Sequence, residues 1–162
     1  MNINLRKAEY SDIEDVYLLS NSIDVRSNSI NQNSISWLEH EIWFKKKLAN
    51  ENYYFYIISD EKNSFIGQLR YEINNTDAVV SISICDAFRG KGISTKALFE
   101  GTKIVFKERE YVSKIIAYIN TENKASQKSF LKAGYKFAWE ELFSNKRFFA
   151  FIIEREPEDN GN

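Results

Sequence analysis

The stretch from Val80 to Thr95, VSISICDAFRGKGIST, places an apolar run before a glycine-rich turn and the start of a helical pattern. Gly90 and Gly92 let the backbone turn tightly and approach a ligand closely. The helix that follows presents unpaired N–H groups and the positive end of its dipole. This combination predicts an anion site, most often for phosphate, to which Arg89 and Lys91 add positive charge. An ordinary strand-to-helix loop with two turn glycines is the alternative.

The spacing excludes two common nucleotide sites. No Gly-Lys-Ser/Thr follows at the spacing of a Walker loop. The Gly-x-Gly-x-x-Gly of a dinucleotide fold is also missing.

Composition indicates one globular domain. The chain has 162 residues, of which 43% are hydrophobic and 15% aromatic, enough for one packed core. A formal net charge of −1 gives no reason to expect a nucleic-acid or membrane-surface partner. Cys85 is the only cysteine, so no internal disulfide is possible, and a reducing compartment is expected. The first seven residues lack an apolar signal core. We therefore expect a cytoplasmic protein. We also expect it to be a monomer or homodimer and to have no metal site.

Hydrophobic periodicity predicts a mixed α/β chain with the order β-α-α-β-β-β-α-β-α-β-β. Strands are predicted at residues 3–8, 53–59, 64–73, 78–84, 114–119, 135–140 and 147–154. Helices are predicted at residues 11–21, 36–48, 94–109 and 123–132, the first two opened by Ser11-x-x-Glu14 and Ser36-x-x-Glu39 capping boxes. Leu38, Ile42, Trp43 and Leu48 are expected on one stripe of the second helix. Residues 23–35 are predicted to be a loop, and residues 157–162 a polar tail.

Two motifs resemble those of the GCN5-related N-acetyltransferase (GNAT) family. Arg89-x-x-Gly92-x-Ser94 is similar to its Gln/Arg-x-x-Gly-x-Gly/Ala loop, which holds the pyrophosphate of coenzyme A; Ser94 stands where Gly or Ala is usual. The segment from Asn123 to Tyr135 resembles the family's Asn-x-x-Ala-x-x-x-Tyr-x-x-x-Gly-Phe segment, used against the pantetheine arm. The predicted element order is also that of the family, so the resemblance covers nearly the whole chain.

The resemblance implies a GNAT fold over residues 1–156, with a mixed, mostly antiparallel sheet and helices on both faces. It implies an N-acetyltransferase that uses acetyl-CoA, without a covalent enzyme intermediate. In the family, a backbone N–H near the end of the fourth strand stabilises the developing oxyanion, here around Ile82 to Ile84. The implied cofactor-binding residues are Ile82, Ser83, Ile84, Arg89, Gly90, Lys91, Gly92, Ile93, Ser94, Thr95, Asn123, Ser126 and Phe130.

Phe130 departs from the family pattern. The family's usual tyrosine, which reprotonates the leaving thiolate, falls at this position, and phenylalanine has no proton to give. Tyr118 lies on the fifth strand, where some family members place a basic carboxylate. It is a candidate to orient a water or the amine, and packing is the alternative. Cys85 is a candidate nucleophile by position, but a lone cysteine at a strand end is more often a packing residue.

The N-terminal half resembles acetyltransferases that modify the 4-amino group of nucleotide-linked deoxyamino sugars, as in pseudaminic acid synthesis. Those proteins carry a Val-Arg-x-x-Ser segment before a helix with Glu-His-x-x-Trp-Phe, here Val25 to Ser29 and Glu39 to Phe44. The resemblance suggests substrate-binding roles for Arg26 with a phosphate, Asn28 and Ser29 with sugar hydroxyls, and Trp43 with a ring face. His40 is either a catalytic base or a helix histidine bonded to neighbouring backbone.

Other functions remain open at this stage. The acceptor amine is alternatively that of a ribosomal protein, a peptide N-terminus or a polyamine. A polyamine site needs acidic side chains, which residues 26–33 lack. A non-catalytic acyl-CoA-binding module is a further alternative, favoured by Phe130 and opposed by the intact glycine-rich loop.

Overall fold

The structure is a computed structural model that describes residues 1–158. Five helices are formed by α1 Ile13–Ser20, α2 Ile23–Asn28, α3 Trp37–Leu48, α4 Ile93–Glu108 and α5 Lys124–Lys132. Seven strands are formed by β1 Asn4–Lys7, β2 Tyr53–Ser59, β3 Phe65–Asn74, β4 Asp77–Ile84, β5 Lys114–Asn120, β6 Lys136–Phe143 and β7 Lys146–Glu154. Short 3₁₀ turns at Tyr10–Asp12 and Asp86–Phe88 precede α1 and follow β4.

The strands form one sheet in the order β1-β2-β3-β4-β5-β7-β6. All neighbours are antiparallel except β4 and β5, which are parallel because the α4 crossover joins them. The β6–β7 hairpin turns at Ser144 (φ 48°) and Asn145 (φ 66°), the left-handed conformations that a two-residue hairpin turn requires. The mixed sheet, the parallel β5 and the closing hairpin confirm the predicted fold class.

The sheet buries both of its faces. On one face, α4 and α5 cover a large core that includes Leu69, Leu98 and Phe130. On the other face, α1 and α3 cover a smaller core of Ile13, Val16, Phe44, Phe55 and Ile57. Residues of β3 and β4 beside these helices form the floor of the site described below.

The loop predicted at residues 23–35 is wrong in its first half, because Ile23–Asn28 is helical. The segment is rich in Asn and Ser, which favour local backbone bonds over helix. Here those bonds stabilise the helix, since Ser27 and Asn28 both donate to the Asp24 carbonyl. Arg26 then fixes the loop that follows, donating to the carbonyls of Ser20, Asn31 and Asn33.

The predicted cap of the first helix is also wrong. The capping box is formed by Glu9 and Asp12 at the 3₁₀ turn, and not by Ser11 and Glu14. Asp12 is nearly buried, accepts from the Glu9 N–H at 2.8 Å and pairs with both terminal nitrogens of Arg6 at 2.7 and 2.8 Å. An ion pair that the sequence pattern does not contain therefore sets where the helix begins.

The buried face of α3 differs from the predicted stripe. Ser36 caps the helix as expected, accepting from the Glu39 N–H at 3.2 Å. The buried residues are His40 and Phe44, whereas Leu38 and Ile42 are exposed. Aromatic packing decides the orientation, because the Phe44 ring lies 5.4 Å from that of Phe55 on β2.

The tail predicted at residues 157–162 is described only to Glu158, and its remaining residues lie outside the described part of the chain. None of the helices in the described residues is long and apolar enough to cross a membrane.

Candidate active site

A cleft opens where β4 and β5 separate. The two strands pair only from Asp77 to Val79, opposite Lys114 to Ile116, and the second half of β4 has no partner on that side. The resulting cavity has a volume of about 1160 Å³. The cavity extends from the N-terminus of α4 to the region of α2 and α3. The N-terminal and C-terminal halves of the chain therefore both contribute residues to it.

The backbone of β4 supplies hydrogen-bond donors to this cleft. Cys85 donates its N–H to Ile66 on the β3 side at 2.8 Å. Because antiparallel partners alternate, the backbone groups of Ser83 point toward β3, and those of Ile82 and Ile84 point toward the gap. The Ile84 carbonyl accepts from Arg89 Nε at 3.1 Å. The N–H groups of Ile82 and Ile84 therefore face the gap, where β5 no longer pairs with β4.

The glycine-rich loop has the geometry of an anion site. Gly90 and Gly92 have φ values of 74° and 75°, in the left-handed region that favours glycine, and Gly92 caps α4. The first turn of α4, with Ile93, Ser94 and Thr95, contains no acidic residue. Its N–H groups and the helix dipole face the cavity end lined by the loop. Lys91, which lies between the two glycines, is exposed to solvent.

Arg89 is held by groups of the protein. Its Nη1 lies 2.6 Å from an Asp24 oxygen and 3.4 Å from an Asp86 oxygen. The guanidinium therefore joins the loop to α2, with its charge partly balanced by two carboxylates.

The α5 segment lies beside the same end of the cavity. Asn123 caps the helix by accepting from the Ser126 N–H at 3.2 Å. Phe130 lines the cavity, is 2% exposed and packs edge-on against the Tyr135 ring at 5.0 Å. The Thr95 hydroxyl donates to the Ser129 carbonyl at 3.4 Å, which links α4 to α5.

Tyr118 lies on β5 beside the cleft. It is half-buried and lines the cavity, with its ring 5.1 Å from that of Phe143 in an edge-on contact. Burial, and then the negative charges of Glu141 and Asp77, raise the pKa of Tyr118. The hydroxyl is therefore protonated near neutral pH and available as a donor.

His40 lies at the far end of the cavity but is only 1% exposed. Its Nε2 is 2.8 Å from the Ile13 carbonyl, which fits an N–H donor at that nitrogen. Aromatic rings surround the imidazole, with centroids between 5.1 and 5.9 Å away. Burial lowers the pKa of His40, so the neutral ring is favoured. This environment fits the structural interpretation of His40 better than a catalytic base.

The predicted acceptor residues are brought to one region, but most of their polar groups are already bonded. Arg26 uses Nε and Nη1 on backbone carbonyls and Nη2 on the Ser29 hydroxyl at 3.3 Å. Ser29 in turn donates to the Val25 carbonyl, and Asn28 to the Asp24 carbonyl. Arg26 therefore orders the loop that borders the cavity.

Two residues that sequence reasoning missed lie on the cavity floor. Gln68 and Arg70 follow each other on the same face of β3, and both line the cavity. The Arg70 guanidinium carbon lies 5.0 Å from the centroid of the Trp43 ring. The alternation of residues 64–73 was the available signal, but an outward arginine on a strand is ordinarily read as solvent-facing. No group of three or more His, Cys, Asp or Glu side chains suited to a metal ion occurs within residues 1–158.

A mixed sheet that splits between two parallel strands, with a glycine-capped helix at the split, is the architecture of the GNAT fold. The family model of the acetyltransferase (GNAT) domain matches residues 2–136. The chain belongs to the GNAT family and is an acetyl-CoA-dependent N-acetyltransferase.

Individual proteins are similar to this chain in sequence or in fold. A putative phosphinothricin acetyltransferase of Bacillus subtilis (strain 168) is 29% identical over 140 residues, which are 82% of this chain and 83% of that protein. The crystal structure of a putative phosphinothricin N-acetyltransferase is 26% identical, with a TM-score of 0.73, and the match covers 96% of this chain and 98% of that one. Spermidine N-acetyltransferase from Vibrio cholerae, crystallised with CoA and spermine, has a TM-score of 0.85 at 20% identity, covering 94% and 95% of the two chains.

Proposed function

We propose that this enzyme acetylates the primary amine of a small molecule, and that the acceptor is a nucleotide-linked deoxyamino sugar. The observation that carries the proposal is a continuous cavity of about 1160 Å³, whose two ends have different chemistry. One end is formed by helix N-terminal N–H groups and suits a pyrophosphate. The other end carries arginine, amide and aromatic side chains, which suit a charged sugar derivative.

The residues present fit acetyl-CoA at the first end. Left-handed Gly90 and Gly92 leave open space, since no atom lies within 4 Å of a Cβ built on either residue. The first-turn N–H groups of α4 would hold the pyrophosphate, and Ile82 and Ile84 would donate to the pantetheine arm or the thioester oxygen. Asn123, Ser126 and Phe130 also line the cavity and would border the same arm.

When bound, acetyl-CoA supplies the acetyl group and a thiol leaving group. The acceptor amine forms a bond from nitrogen to the carbonyl carbon, the carbon–sulfur bond breaks, and the proton lost by nitrogen ends on sulfur. Phe130 donates no proton, so the leaving sulfur takes one from the substrate or solvent. A thiolate needs less acid assistance than an alkoxide because its pKa is much closer to neutral.

The chain's own residues favour direct attack. Burial raises the pKa of the Cys85 thiol, with Asp15 adding to the effect, and a protonated thiol is a poor nucleophile. Tyr118 orients the amine in this proposal, directly or through one water; its ring lines the cavity, and its raised pKa keeps the hydroxyl protonated. Arg26 and the hydrogen bonds of Asn28 and Ser29 shape the acceptor entrance, with Trp43 offering a ring face.

An amino acid is a second candidate acceptor. Two relatives at 26% and 29% identity are named as putative phosphinothricin acetyltransferases, whose named substrate combines an amine with acidic groups. A polyamine is disfavoured, because Arg26 and Arg70 place positive charge at the acceptor end.

The test is thiol release from acetyl-CoA with four amines side by side: a UDP-4-amino sugar, phosphinothricin, spermidine and a ribosomal-protein N-terminal peptide. We expect the highest kcat/KM with the UDP-4-amino sugar. Preferred turnover of spermidine or the peptide would overturn the sugar proposal. Binding of CoA without turnover of any amine would instead favour a non-catalytic module.

A further inference from the structure

A polar patch interrupts the apolar face of the sheet beneath α1 and α3. Its members are paired across two strands, with Gln68 opposite Ser83 and Arg70 opposite Ser81. The next residues on the β2 side, Ile57 and Phe55, are buried and apolar. On the other side lies the gap to β5, so the patch is confined to the cavity floor.

Arg70 is the charged residue of this patch. Its guanidinium has no ion-pair partner within residues 1–158. It is half-buried, and its Nε is buried without a hydrogen-bond partner. Glu72, the nearest carboxylate along the same strand face, pairs with Lys47 at 3.3 Å. Burial is the main cause of the lowered pKa of both Arg26 and His40, and the positive charge of Arg70 lowers both further, whereas the hydrogen bond to Ile13 raises the pKa of His40.

The other charged groups around this end do not neutralise Arg70. Glu39 also lines the cavity but is exposed, and it forms no ion pair within the described chain. Asp24 is bound by Arg89. A half-buried guanidinium in this setting gains most from an oxyanion that accepts two parallel N–H bonds.

Gln68 supplies an independent observation. It is 1% exposed, and its Nε2 donates to the Ser20 hydroxyl at 3.1 Å. Its Oε1 is buried and has no partner. A buried acceptor left unpaired is costly, so this atom fits a donor brought by a ligand. Gln68 and Arg70 therefore offer an acceptor and a cationic fork two residues apart on one strand.

We propose that Arg70 and Gln68 form an acceptor subsite that binds an oxyanion of the amine substrate. Arg70 binds the phosphate or carboxylate oxygens, and Gln68 accepts from a neighbouring N–H or O–H of the same molecule. This subsite rests on the proposed function, because it assumes that the acceptor binds in this cavity. It requires an anionic acceptor but not a nucleotide-linked sugar. It also explains why a polyamine is a poor fit, because a second cation would lie beside Arg70.

The experiment is a calorimetric titration in which UDP and phosphinothricin are added separately to CoA-saturated protein. CoA is added first so that UDP does not bind at the pyrophosphate loop. The variants are Arg70→Gln, which keeps hydrogen bonding without charge, and Arg70→Lys, which keeps charge without the fork. Arg147→Gln is the matched control, since Arg147 is an exposed cation on β7 whose Nε lies 3.6 Å from Glu140.

We expect at least one probe to bind the wild type and the Arg147→Gln control equally. Arg70→Gln should weaken that binding roughly ten- to a hundredfold, and Arg70→Lys by an intermediate factor. Binding of UDP alone indicates a diphosphate group, and binding of phosphinothricin alone indicates an amino-acid-like acceptor. Failure of both probes to bind the wild type, or equal binding by Arg70→Gln, would overturn the subsite.

Folding and function are separated by two further readouts. CoA affinity and the urea unfolding midpoint should be unchanged in a folded Arg70 variant. If UDP binding depends on Arg70 but the UDP-4-amino sugar is not acetylated, the subsite stands and the sugar assignment fails. If that sugar is acetylated equally well by the wild type and Arg70→Gln, the sugar assignment stands and the subsite fails.

Discussion

Arg89 of the glycine-rich loop donates from Nη1 to the Asp24 carboxylate of α2 at 2.6 Å. The contact joins two segments that lie 65 residues apart in sequence and that both line the cavity. The loop proposed to hold the pyrophosphate is therefore connected to the helix proposed to border the acceptor entrance.

The Arg89–Asp24 pair should contribute little to global stability. Both side chains are substantially exposed, at 36% and 62%, so solvent screens their attraction. A double-mutant cycle with Arg89→Gln and Asp24→Asn, measured by urea unfolding, should give a coupling free energy of about 0.2–1 kcal/mol. The coupling should shrink in 1 M salt. A larger, salt-independent coupling would mean that the pair is desolvated.

Gly92 should tolerate asparagine far better than aspartate in cofactor binding. Both residues accept the left-handed conformation and both cap helices, so both variants should fold. Aspartate alone adds a negative charge where the pyrophosphate is proposed to bind. Calorimetry should show CoA affinity at least roughly tenfold lower for Gly92→Asp than for Gly92→Asn. Equal CoA affinities in the two folded variants would move the pyrophosphate elsewhere.

Tyr118→Phe should lower the rate of acetyl transfer while leaving CoA affinity unchanged. The substitution keeps the ring contact with Phe143 and removes only the hydroxyl donor. A lost hydrogen bond of ordinary strength predicts a fall in kcat/KM for the acceptor of roughly three- to tenfold. Because the pKa of Tyr118 is raised, the difference should persist from neutral to mildly alkaline pH. A variant with the wild-type rate throughout would make Tyr118 a packing residue.

The pKa of His40 should lie below the value of about 6.5 that is usual for histidine. We expect this residue to stabilise the fold and not to take part in catalysis. The unfolded chain takes up a proton below that pH while the buried native ring resists it. The stability that the neutral ring provides is therefore present above pH 6.5 and is lost as the pH falls toward the native pKa. The limiting slope is about 1.4 kcal/mol per pH unit.

Two measurements test the role of His40. As the only histidine in the sequence, it gives a single imidazole signal in a proton NMR titration. His40→Gln, which keeps a donor for the Ile13 carbonyl, should reduce the loss of unfolding free energy between pH 6.5 and 5.5 and leave kcat largely intact. A native pKa at or above 6.5, together with a large loss of kcat in His40→Gln, would favour the base role.

The fold was predictable where local chemistry and packing agree. The β6–β7 hairpin follows from Ser144-Asn145 between apolar runs, and the start of α5 from Asn123 at its cap. Helix α2 was not predictable in this way. Its Asn and Ser residues are compatible with a loop, and the contacts of Arg26 with distant carbonyls fix the structure around it.

The proposed cofactor half of the site can be anticipated from sequence, because glycines before a helix predict an anion site within a few consecutive residues. The proposed acceptor half depends on which strands are neighbours. Arg70 lies opposite Ser81 and against Trp43 only after β3, β4 and α3 have packed. No spacing along the chain reveals that its charge faces a cavity.

The most direct test of the central claim is product analysis after incubating the enzyme with acetyl-CoA and the UDP-4-amino sugar. Mass spectrometry and NMR would follow the sugar while a thiol reagent follows CoA. We predict one acetyl group on the 4-amino nitrogen for each thiol released, with no acetylated spermidine when both amines compete. Thiol release without acetylated sugar, or acetylated spermidine as the main product, would contradict the proposal.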